Sequence, residues 1–139
     1  MLHKLTFMKN RRGKTVVCIL VLVLVCTFFI DPVLRYRNHE LSDAIQSLSY
    51  KSGTTLEDVI PFEWDYVYRF VPYTPKEDME NKMGVRSRYV TEAKYDDMVQ
   101  IYVVKNNKII AFINEKIDID IISQMPEVVK CGTNRKIGE

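Results

Sequence analysis

The run VVCILVLVLVCTFFI, from Val16 to Ile30, is fifteen residues without a charge, and it restricts the chain more than any other feature. A helix that packs on a soluble core keeps a polar stripe toward water. This run has none, so it is read as a membrane segment. Fifteen helical residues span roughly 22 Å, less than the roughly 30 Å of a typical hydrocarbon core. Thr15 extends the run at one end, and Val33 and Leu34 extend it past Pro32 at the other. The anchor is therefore placed over residues 16–34, with the lipid bilayer as its partner. Snorkelling of Lys14 and Arg35 and local thinning cover the remaining mismatch.

Residues 1–15 carry Lys4, Lys9, Arg11, Arg12 and Lys14 and no acid, which reads as a basic cytoplasmic stub. A cleaved signal peptide shares this basic start, but it needs small residues at its cleavage site. Thr27-Phe28-Phe29-Ile30-Asp31-Pro32 is bulky. Val25 before Cys26 and Val17 before Cys18 also fail to supply the small residue that precedes an acylated cysteine. The segment is read as an uncleaved signal anchor. Its basic flank outweighs Arg35 and Arg37, which puts the N-terminus inside and the following domain outside the cell membrane. From Asp31 onward 15 of the 20 basic residues face all 18 acidic ones, a net charge of −3. Such a surface lacks the concentrated positive charge that nucleic acid demands.

An extracytoplasmic α+β domain is expected over residues 38–131. Of the three cysteines, Cys18 and Cys26 lie in the anchor and Cys131 stands alone, so the domain must hold together by its core. Asp31-Pro32 breaks the first helix. Leu41, Ala44, Ile45 and Leu48 then share one face of a helix from about Asn38 to Tyr50. Thr54 or Thr55 caps a further turn at Leu56-Glu57-Asp58. Thr74-Pro75-Lys76-Glu77 has the capping-box and first-position proline signals, predicting a helix to Met83 that stops at Gly84. Met98–Lys105 and Lys108–Glu115 flank Asn106-Asn107 as a two-residue hairpin. With that turn, Val103 faces Ile110 and Ile101 faces Phe112, and these four with Val99 make a core face. Ile117, Ile119 and Ile121 alternate with Asp118 and Asp120 as a further strand, and residues 132–139 form a flexible tail. The order predicts an N-terminal transmembrane helix followed by a small, mostly antiparallel sheet packed with one or two helices on one face.

Between the first helices and the capped one lies PFEWDYVYRFVPYT, Pro61 to Thr74. Phe62, Trp64, Tyr66, Tyr68 and Phe70 alternate strictly and so share one face of a strand. Exposed together, Trp64, Tyr66 and Tyr68 would form a platform for a partner. Buried, they are the main core of a small sheet, and a domain of this size needs its largest apolar side chains for that.

No reactive grouping assembles from the sequence. Arg12-Gly13-Lys14-Thr15 ends like a phosphate-binding loop, but Met8 stands where that pattern needs glycine. His39 and Asp43 form an i, i+4 pair on a wet helix face. Asp118 and Asp120 are the solvated side of an alternating strand. No catalytic, cofactor-binding or metal-ligating residue is assigned, and the chain is read as non-enzymatic.

The block Pro61-Phe62-Glu63-Trp64-Asp65-Tyr66-Val67-Tyr68 with Pro72-Tyr73-Thr74 resembles one in small uncharacterised membrane proteins and lipoproteins of Gram-positive bacteria. Met83-Gly84 and the Val104–Lys108 hairpin are similar too, so the resemblance spans about residues 55–115. It implies location and domain type, and no activity. The expectation is a membrane-anchored domain with a binding or accessory role toward an envelope protein or cell-wall partner. An envelope hydrolase or metal-dependent enzyme using Asp118, Asp120 or His39 is the alternative, and an immunity or inhibitor protein is a third.

Overall fold

A computed structural model describes residues 11–29, 31–48, 54–116 and 125–133. The chain divides into two units, Met1–Pro32 and Val33–Glu139. Among its described residues the first holds helix α1, Arg11–Phe29, whose residues 13–26 are all exposed. Among the described residues, no helix is long and apolar enough to cross a membrane.

The second unit is α+β: α2 (Pro32–Leu48), α3 (Leu56–Val59), β1 (Tyr66–Phe70), α4 (Lys76–Met83), β2 (Met98–Lys105), β3 (Lys108–Lys116) and β4 (Val128–Lys130). Its four strands form one antiparallel sheet in the order β3-β2-β1-β4. The expected strand over residues 117–121 lies outside the described residues. Strand β4, a three-residue strand at the sheet edge, has no counterpart among the expected elements.

Helix α2 begins six residues before the expected Asn38. Pro32 opens α2, because a first-turn proline loses no hydrogen bond and its fixed φ suits a helix. Val33 and Leu34 thus belong to α2, where Leu34 is buried with Leu41, Ala44, Ile45 and Leu48. Thr55 opens α3, its N–H and hydroxyl both donating to the Asp58 carboxylate at 3.0 and 2.7 Å. Helix α4 ends as expected at Gly84, whose φ of 67° is the left-handed geometry that glycine adopts without penalty. Its start differs. The Thr74 hydroxyl donates back to the Val71 carbonyl at 2.7 Å, and the Lys76 N–H is met by Glu92 at 3.1 Å. A partner distant in sequence replaces the local capping box.

The hairpin turn is the expected one, with Asn106 and Asn107 at φ 49° and 57°. Its register is not. A bulge between Val103 and Val104 leaves Val103 opposite Ala111 and Ile101 opposite Ile113, rather than Ile110 and Phe112. One extra residue on β3 sends every later side chain to the other face. Phe112 therefore leaves the aliphatic face and stacks on Tyr102, with ring centroids 6.1 Å apart.

Helices cover both faces of the sheet, not one. On one face Val67, Val99, Ile101, Val103, Ala111 and Ile113 pack with α2 and with Leu56 of α3. On the other, Tyr68, Phe70, Tyr102 and Val104 pack with Met79 and Met83 of α4. Beside the first face, Asn38 of α2 accepts the Phe112 N–H of edge strand β3 at 2.7 Å. Ser42 reaches Glu115 of the same strand at 3.4 Å. An otherwise open strand edge is thereby closed by helix side chains.

Candidate functional site

The aromatic segment does not run as one strand. Strand β1 starts only at Tyr66, after bends at Phe62 and Asp65. Trp64, 5 % exposed, and Phe62 join the aliphatic core with Val67. Tyr66, Tyr68 and Phe70 line the opposite face, with Tyr68 8 % exposed and Tyr66 partly so. The structure thus separates Trp64 from Tyr66 and Tyr68. Strict alternation was a sound guide from Tyr66 to Phe70 and failed ahead of it, because the bends reset which face each side chain takes.

The segment instead forms one wall of a wide, shallow cleft of about 650 Å³, lined among others by Glu57, Phe62, Glu63, Asp65, Lys105 and Cys131. Its carboxylates hold the surrounding loops. Glu57 accepts the Gly132 N–H at 2.9 Å, and Asp65 accepts the Asn106 N–H at 2.7 Å. Glu63 pairs with Lys105, and that hydrogen bond and charge hold its carboxyl below the usual range. Asp58, also on the cleft wall, is lowered by its bonds from Thr55. Ionised carboxylates of this kind give an anionic rim.

A second surface lies where β1 ends and β2 begins. Val71, Tyr73 and Tyr95 are exposed there. Tyr73 has a φ of 64°, a conformation that costs a bulky residue of order 1–3 kcal/mol unless the surroundings impose it. Its N–H donates to the Ala93 carbonyl at 2.9 Å, and its hydroxyl bonds to Asp96. Partial desolvation, with the nearby Asp96 and Asp97 charges, raises its pKa. Sequence reasoning passed over this surface. Its signal was Pro72 ahead of Tyr73, a turn dipeptide inside the block singled out for its strand.

The remaining candidates stay apart. His39 lies 3.8 Å from Asp43 on the outer face of α2, both side chains well exposed. Asp118 and Asp120 lie outside the described residues. Among the described residues no three His, Cys, Asp or Glu side chains are placed to hold a metal ion. Cys18, Cys26 and Cys131 are free thiols. No protein family, curated protein or solved structure matches the chain.

Proposed function

We propose that the chain is a single-pass protein of the cell membrane, with its N-terminus cytoplasmic and a non-catalytic α+β domain outside, serving a binding or accessory role at the cell envelope. One observation carries this reading. The apolar side chains of α1, from Val16 through Val25, are exposed all round the helix. In water such a surface is unfavourable by roughly 25 cal/mol for each Å². A bilayer removes that cost.

The shortness of α1 is compatible with this placement. Its apolar part, Val16 to Phe29, spans about 21 Å, and local thinning of the bilayer can cover the difference from the roughly 30 Å of a hydrocarbon core. Lys14 at its start can snorkel to the interface. Basic residues ahead of the apolar stretch favour the inside orientation. The resemblance to small Gram-positive membrane proteins points to the same location.

For the domain, the anionic cleft rim and the exposed Val71, Tyr73 and Tyr95 are surfaces suited to an envelope protein or cell-wall partner. The proposal is tested by alkaline extraction of membranes bearing the full chain, followed by protease treatment of intact spheroplasts. Retention in the membrane with digestion of the domain is expected. Release by alkali, or a domain protected until the cells are lysed, overturns it.

A further inference from the structure

Helix α2 changes character along its outward side. Near its start Val33 is 55 % and Tyr36 63 % exposed, and Arg35 is exposed beside them. Further along, the exposed residues are His39, Asp43 and Gln46, all polar. Inward-facing residues are buried at both ends, Leu34 near the start and Leu41, Ala44, Ile45 and Leu48 beyond it, so packing does not explain the change. Nor does local bonding require it. Tyr36 needs only its hydroxyl satisfied, which Glu40 does.

Chain reach supplies the explanation. Phe29 ends α1 and Pro32 begins α2, a separation of three residues that spans at most about 11 Å. Gln46 lies about 21 Å further along the helix. With α1 in a bilayer, the first turn of α2 cannot leave the interfacial layer, while its far end is not so constrained. Tyrosine and arginine beside an aliphatic residue are what that layer favours, the ring and stem lying among acyl chains and the polar tips in headgroups.

We propose that Val33, Arg35 and Tyr36 form a lipid contact at the headgroup–acyl boundary of the bilayer that holds α1. The inference rests on the membrane placement of α1. Arg37 is turned inward, its guanidinium 5.7 Å from the Phe62 ring centre, and exposed Asp31 offsets the charge of Arg35. Apolar contact therefore sets the interaction, and it needs no anionic lipid.

The test uses the full chain in phosphatidylcholine nanodiscs, with tryptophan placed by Tyr36→Trp, Val33→Trp or Gln46→Trp. All three positions are exposed, so the fold is undisturbed, and buried Trp64 gives the same background in each. Tyr36→Trp and Val33→Trp are expected to emit at shorter wavelength than Gln46→Trp. They should be quenched by lipid brominated near the headgroup and shielded from acrylamide, and adding phosphatidylglycerol should change neither result. Acrylamide quenching of Tyr36→Trp and Val33→Trp equal to that of Gln46→Trp overturns the contact, and so does bromolipid quenching equal at all three. If the chain still resists alkaline extraction in that case, the anchor stands without the contact. Release by alkali removes both.

Discussion

The two faces of the sheet are built from different materials. The face under α2 and α3 is aliphatic apart from Trp64 and Phe62, with Val67, Ile101, Val103 and Ala111 fully buried. The face under α4 is a ladder of rings. Tyr68 stacks on Phe70 at 6.3 Å and Phe70 meets Tyr102 edge-on at 6.0 Å, while Tyr66 and Phe112 at its margin remain partly exposed. A helix of 17 residues closes the first face, whereas the second has one of eight residues and the loop that follows it. The long helix permits small branched side chains, because it supplies the rest of the volume itself. The short one leaves more area to cover, and rings cover most area per residue. Closure, more than composition, should then decide how costly a truncation is.

The largest effect is expected at the closed face. Ile101→Ala should destabilise the domain by about 4 kcal/mol in chemical denaturation, since rigid neighbours on both sides prevent the cavity from collapsing. On the ring face Met79→Ala should cost less, about 2–3 kcal/mol, despite equal burial, because the short helix can settle onto the gap. If Met79→Ala proves the more damaging, the contrast between the faces is wrong. Tyr66→Ala, at the open margin, should cost about 1 kcal/mol, the loss of a partly buried ring and its 6.0 Å contact with Tyr68. The smallest effect concerns exposed ion pairs that join elements at the edges. Hydrogen bonds and charge from Lys105, Lys82 and Lys116 depress the carboxyls of Glu63, Glu127 and Asp97 respectively. A carboxyl depressed in the folded state binds fewer protons there than when unfolded. Its contribution is thus fully present above the ordinary carboxylate pKa of about 4 and is lost as pH falls through the folded value. Glu63→Gln and Glu127→Gln should therefore lower stability slightly at neutral pH, with the difference from the parent chain shrinking as pH falls through the folded values. A difference that does not change with pH in both variants would show these pairs to be incidental.

Local signals in the sequence foretold the elements well and their partners poorly. Asn106-Asn107, Gly84 and Thr55 each act within one turn of chain, and each sits in the structure where its chemistry required. The failures all came from atoms far away in sequence. Glu92 took the Lys76 N–H that Thr74 should have served. One inserted residue on β3 moved Phe112 across the sheet, and neither strand's composition carries a mark of it. Alternation in residues 62–70 implied one aromatic face, because a period of two cannot show where a chain bends before it pairs. The candidate surfaces followed the same rule. Trp64, Tyr66 and Tyr68 drew attention by composition, but burial of Trp64 and Tyr68 depended on helices placed by tertiary packing. Tyr73 offered only a proline neighbour as a clue, and its left-handed backbone is fixed by Ala93, twenty residues on.

The entry of the chain into the domain through α2 has a mechanical consequence. Tension arriving along the chain at Pro32 enters the domain through a helix lying on its sheet, and no β-strand takes the first pull. Leu41, Ala44, Ile45 and Leu48 share that load in shear along the helix, and the Asn38–Phe112 and Ser42–Glu115 bonds act as cross-ties to an edge strand. Bonds loaded side by side yield together at high force, whereas a hairpin pulled from its end opens one rung at a time. A domain held to a moving surface by such a helix would keep its sheet, and the surfaces on it, intact under drag.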